Sequence, residues 1–140
     1  MERDIAYGPH PKQRFDVYLP AQVQADAPIL FMVHGGGWRI GDKDSRGVTG
    51  NKAAHWLAKG FVFVSTNNRL LPDADPVQQA RDVAAAVAAV QARATQWGAD
   101  PQRMVLMGHS AGAHLVALLG ASPSLLAGAG ARAPRGVVSL

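Results

Sequence analysis

Cysteine is absent from this 140-residue chain. That excludes disulfides, thiolate metal sites and a cysteine nucleophile. Charge is sparse: charged residues make up 17%, and the net charge of +4 arises from 14 basic against 10 acidic side chains. The basic residues are scattered from Arg3 to Arg135 with no run and no interleaved aromatics. This describes a solvated surface, not a nucleic-acid groove. Long apolar runs are also missing. The longest, Val83 to Val90, falls far short of the roughly 20 residues a membrane helix needs. Met1-Glu2-Arg3-Asp4 is charged and no apolar segment follows it, so no signal peptide is read and the expectation is a cytoplasmic protein. One local absence bears on the chemistry: from Ala111 to Leu140 there is no Asp or Glu. What the chain does have is apolar mass, 48% of residues, enough for the core of one domain spanning 1–140.

The apolar residues come in short blocks separated by helical segments. Val17-Tyr18-Leu19 closes an early strand at Pro20, and a polar loop follows. Ile29 to Val33 and Phe61 to Val64 are continuous runs, the pattern of strands buried on both faces of a parallel sheet, and Arg103 to Met107 reads as a third buried strand. Asn51 to Lys59 reads as a helix with Ala53, Trp56 and Leu57 on one face and Gly60 just past its end. Asp75 and Pro76 form an N-cap and first-turn pair opening a long helix to Trp97, with Val83, Val87 and Val90 at helical spacing. A small-residue helix runs from Ala111 to about Gly120, and Gly136 to Leu140 reads as a last strand. Strands alternating with helices predict an α/β fold: a mostly parallel sheet covered on both faces.

Two motifs carry chemistry. Gly108-His109-Ser110-Ala111-Gly112 fits G-x-S-x-G between a strand and a helix. The turn it predicts is so tight that the residues two before and two after the serine must lack a Cβ. It projects the hydroxyl above the sheet toward free amides of the new helix. His34-Gly35-Gly36-Gly37 follows an earlier buried strand. Glycine there lets main-chain N–H groups approach an oxygen that gains negative charge in acyl transfer. Both motifs fall at the carboxyl ends of strands, where open α/β sheets bind ligands.

With Trp38, Gly41-Asp42-Lys43, Asn67-Asn68-Arg69-Leu70 and Asp100-Pro101-Gln102-Arg103 in the same order, the chain resembles the N-terminal half of an α/β-hydrolase of the esterase/lipase branch. The likeness is to carboxylesterases and kynurenine-formamidase-like enzymes. The resemblance implies that Ser110 is the nucleophile and that Gly36, Gly37 and the amide of Ala111 form the oxyanion hole, with Gly35 a substitute if the loop is shifted by one. It implies that His34 braces that loop, that no metal or organic cofactor is needed, and that the substrate is a small acyl ester or formamide. Asn68 stands where the family often has Tyr, and Val77 where it usually has Pro.

The family's chain order is Ser, then Asp or Glu, then His. The only histidine after Ser110 is His114, one helical turn on, where it is expected to pack under the elbow formed by the tight Ser110 turn instead of serving as base. His109 is expected to pack as well. The resemblance therefore implies a fold lacking its C-terminal strands, with the acid and the histidine downstream of Leu140. A fragment is the favoured explanation; a short relative without catalysis and complementation by another chain are the alternatives. A final strand with an unpaired edge predicts self-association. Arg69 is expected to anchor its loop through Asp82 or Asp73. Asp42 and Asp44 around Lys43 read as a solvated loop without metal. Trp38 either lines an acyl pocket or caps the core.

Overall fold

A computed structural model describes all 140 residues. The continuous apolar runs form the centre of a six-stranded sheet. Its strands are β1 (Glu2–Ala6), β2 (Arg14–Tyr18), β3 (Ala27–Val33), β4 (Val62–Thr66), β5 (Ala99–Gly108) and β6 (Gly136–Ser139), in the order β1-β2-β4-β3-β5-β6. The pairs β4–β3, β3–β5 and β5–β6 are parallel, while β1–β2 and β2–β4 are antiparallel. The sheet is buried from both sides because β3 alternates its side chains between two layers. Ile29, Phe31 and Val33 face the larger core; Leu30 and Met32 face a smaller one with Ala53, against which Trp56 and Leu57 pack.

Four helices supply those layers: α1 (Arg46–Ala58), α2 (Pro76–Arg93), α3 (Ala111–Ala121) and α4 (Pro123–Gly128). Helix α2 lays Val83, Val87 and Val90, all fully buried, on the larger core. At ~1.5–3 kcal/mol for a buried side chain of this size, that stripe holds the helix on the sheet. Its start is a capping box: Asp75 Oδ1 accepts from Gln78 N at 2.8 Å, and Gln78 Oε1 accepts from Asp75 N at 2.9 Å. Such a cap contributes about 1 kcal/mol. No helix is long and apolar enough to cross a membrane.

Several elements depart from the sequence reading; β5 starts at Ala99, four residues before Arg103, and α4 was not expected. Strand β1 was not expected; four of its five residues are exposed, so it carries no apolar signal and exists through pairing with β2. Helix α1 starts at Arg46, five residues before Asn51, although Gly47 and Gly50 weaken helical propensity there. The long helix ends at Arg93, and a 3₁₀ turn at Ala94–Trp97 completes it before Gly98.

Candidate active site

Register brings the two motifs together. Strands β3 and β5 are neighbours with Val33 opposite Gly108, so the chain leaves both strands at the same level. His34 to Gly37 and His109 to Ser110 then emerge side by side at the carboxyl edge. The fit is close: a Cβ on Gly35 would lie 2.8 Å from the His109 carbonyl oxygen and 3.2 Å from Ser110 Cβ. A Cβ on Gly108 would strike the backbone of Gly112, and one on Gly112 would strike the carbonyls of Val33 and His34.

Ser110 sits at φ +54°, ψ −116° as the N-cap of α3. A non-glycine residue held there stores roughly 1–3 kcal/mol of strain, a cost that surrounding structure must offset. The surrounding bonds are identifiable. Ser110 N donates to Leu140 O at 2.9 Å, Gly112 N to His109 O at 2.9 Å and His114 N to Ser110 O at 3.1 Å. The side chain of Ser110 is exposed. As the first residue of α3, Ala111 has no intrahelical partner for its N–H. The amides of Gly36 and Gly37, at φ +131° and +62°, donate no hydrogen bond within the chain.

The glycine loop is fixed from behind. His34 is buried, and its Nδ1 donates to Gly35 O at 2.7 Å. Burial pushes its pKa below the ordinary histidine value, against the carbonyl contact that raises it. Arg39 N and Ile40 N both donate to Gly36 O, at 3.1 and 3.0 Å. Trp38 O accepts from Leu71 N at 2.8 Å and from Nε2 of the buried Gln79 at 3.0 Å. Asn68, in the position where Tyr is common, is buried and donates from Nδ2 to Arg69 O at 2.7 Å and to Gln79 Oε1 at 3.4 Å. Val77 is exposed on the first turn of α2.

Several side chains lie elsewhere than expected. His114 does not pack under the elbow. It is exposed on α3, and its Nδ1 accepts from the Trp38 indole at 3.3 Å. His109 is exposed as well, because the elbow turns its side chain out with that of Ser110. Neither they nor the other three histidines hydrogen-bond the Ser110 hydroxyl. Trp38 packs at the margin of the larger core with its indole N–H turned to His114. Arg69 pairs with Asp82, not Asp73: Nε and Nη2 approach the two carboxylate oxygens at 2.8 to 3.2 Å.

The segment Asp42-Lys43-Asp44 is not a solvated loop throughout. Lys43 is buried; its Nζ lies 2.9 Å from Asp16 Oδ1 and 2.9 Å from Asp4 Oδ1, and Ser65 Oγ donates to its carbonyl at 2.6 Å. Sequence spacing could not find this, because the partners come from β1 and β2, 39 and 27 residues earlier.

Two depressions differ in meaning. One of about 280 Å³ lies against His34, Gly35, Gly36, Asp42 and His109, beside the elbow. The largest, about 730 Å³, is lined by Ala27, Lys59, Phe61 and Arg103. It lies at the amino ends of the strands, away from Ser110, so its size gives it no part in the chemistry there.

Residues 15–127 match the BD-FAE family. The chain is 31% identical over 117 residues to a probable isoprenylcysteine alpha-carbonyl methylesterase of Arabidopsis thaliana, covering 84% of this chain and 24% of that protein. It is 33% identical over 116 residues to kynurenine formamidase of Danio rerio, covering 83% and 37%. Among solved structures it superposes on esterase B of Lactobacillus Rhamnosis with a TM-score of 0.80 at 29% identity, over 97% of this chain and 44% of that one. The chain thus spans about a quarter to under half the length of these relatives.

Proposed function

The chain belongs to the BD-FAE family, with an α/β-hydrolase fold shared with esterases, and from that premise we propose that it carries the nucleophile and oxyanion hole of a serine hydrolase. The substrate is a small ester or formamide, in keeping with the methylesterase and formamidase among its relatives. Ser110 Oγ attacks the acyl carbonyl while its proton passes to a histidine. The carbonyl oxygen, now anionic, takes hydrogen bonds from Gly36, Gly37 and Ala111, with Gly35 replacing one if the loop is shifted by one residue. The tetrahedral centre collapses, the alcohol or amine leaves with a proton, and an acyl-Ser110 ester remains. Water hydrolyses that ester in the same hole.

The observation that carries this reading is the strained, exposed Ser110 packed beside a glycine loop whose amides are free. We assign the proton-accepting histidine and its orienting carboxylate to sequence following Leu140, as the family's Ser–acid–His order implies; the chain covers only 24% and 44% of two such relatives.

The test is a fluorophosphonate probe on the full-length protein, followed by peptide mass analysis. The expected adduct is on the peptide containing Ser110. An adduct on any other serine refutes the assignment. Failure to label at all favours the second reading, a non-catalytic binding protein on the same fold, whose support is that no base touches the Ser110 hydroxyl within these 140 residues.

Strand β6 pairs only with β5 and leaves its outer edge open. An open edge of a sheet recruits another strand, so the 140-residue chain is expected to self-associate. Light scattering over a concentration series should show a rising mass; a constant monomer mass overturns this.

A further inference from the structure

The oxyanion loop contains an oddity that the proposed chemistry does not explain. Gly36, Gly37 and Trp38 stand in succession at φ +131°, +62° and +61°. Two glycines adopt such values freely, but a bulky aromatic rarely does. Something must hold Trp38 there. Its carbonyl is held by Leu71 N and Gln79 Nε2. Its side chain is held from the other direction, by the helix that begins at the nucleophile.

The Trp38 indole N–H donates to His114 Nδ1 at 3.3 Å, and the rings meet edge to face with centroids 5.3 Å apart at 86°. An indole N–H can only donate, so His114 Nδ1 is the acceptor and the ring proton sits on Nε2. His114 lies one turn after Ser110, whose carbonyl receives the His114 amide at 3.1 Å. The contact therefore ties the loop bearing two oxyanion amides to the helix bearing the nucleophile and the third. The loop needs a tie at this point. A Cβ on Gly37 would meet nothing within 4 Å, so no packing against Gly37 itself aims its amide, which depends on Trp38 next to it.

We infer that His114 is a positioning residue, which through the Trp38 indole holds the Gly36 and Gly37 amides facing Ser110. It takes no proton from Ser110 and does not touch the substrate. The inference rests on the reading of Gly36 and Gly37 as oxyanion donors, and it adds a residue outside that set.

The test uses full-length protein with His114→Leu, His114→Asn, Trp38→Phe and the double variant His114→Leu/Trp38→Phe. Asparagine places Oδ1 near the position of histidine Nδ1 and keeps an acceptor there. Losing one such hydrogen bond corresponds to a fall of about three- to tenfold in kcat for p-nitrophenyl acetate. KM should change little in His114→Leu, and His114→Asn should recover most of the loss. Because both residues act through one contact, the double variant should be no slower than the slower single variant. An unchanged kcat in His114→Leu, or losses that multiply in the double variant, would overturn the inference.

A second readout does not need turnover. In ¹⁵N spectra the Trp38 indole signal, identified by its loss in Trp38→Phe, and the Gly36 and Gly37 amide signals should move in His114→Leu and return in His114→Asn. Unmoved glycine amides overturn the tie. If the amides move but the unsubstituted protein hydrolyses no ester, the tie stands and the acyl-transfer reading is what has failed.

Discussion

If Ser110 is the nucleophile as proposed, replacing it by alanine in the full-length protein should lower kcat for an activated ester by roughly 10⁶-fold, the scale of loss when a triad serine is removed. On the proposed mechanism the physical reason is that without Oγ no acyl-enzyme would form, and water would have to attack directly. Some acceleration over the uncatalysed reaction should survive, since the free amides near Gly36, Gly37 and Ala111 would still stabilise an oxyanion. Fold and stability should change little: the hydroxyl is exposed and makes no hydrogen bond. A steady-state assay with thermal melting alongside is the check. A loss below tenfold with an unchanged melting curve would mean that the reaction proceeds at another residue.

The second large effect concerns stability. Lys43→Met should destabilise the fold by about 3–5 kcal/mol, because it removes the cation while leaving Asp16 fully buried. The remaining contacts of Asp16 do not replace it. Asp4 N donates to Oδ1 at 2.8 Å, and the exposed Arg3 stands 4.0 Å from Oδ2. Denaturant unfolding measures the difference, and a loss under 1 kcal/mol would show that Asp16 is accommodated without Lys43. Activity should fall too, since Lys43 N donates to Asn67 Oδ1 at 2.9 Å and seats the segment just after Gly41.

The same cluster sets an acid limit. The hydrogen bond and charge of Lys43 hold Asp4 below its ordinary pKa of 3.8. A carboxylate lowered on folding stabilises the protein above its unfolded pKa, and that contribution is lost as pH falls through the folded value. Stability should therefore drop on acidification below about pH 4, with a weaker contribution from this site in Lys43→Met. Burial opposes ionisation of Lys43, but the hydrogen bonds and charges of Asp4 and Asp16 outweigh it and raise the pKa above 10.5. The stabilisation from Lys43 is thus intact at neutral pH and is lost only as pH rises through that higher value.

Much of the fold was readable along the chain because its signals are local. Continuous apolar runs marked β3, β4 and the second half of β5, since a strand stretch covered on both faces must be apolar throughout. Asp75 and Pro76 marked the start of α2, since a cap acts on amides two or three residues away. The G-x-S-x-G spacing and the triple glycine marked where backbone must come close to backbone. Strand β1 was not readable. Its residues are mostly exposed, and only pairing with β2 makes it a strand.

The sequence by itself thus determined the alternation of strands and helices, the tight turn at Ser110 and the absence of an acid or a second histidine beyond His114 in the last thirty residues. These follow from residue type and short-range geometry. Only the tertiary structure decided that Val33 stands opposite Gly108, setting the glycine loop beside Ser110. It also decided that Lys43 is buried against Asp16, that Arg69 takes Asp82, and that His114 turns outward to the Trp38 indole. Each of these joins residues from 13 to 76 positions apart. No spacing rule reaches so far, because such contacts depend on the order and register in which the strands assemble.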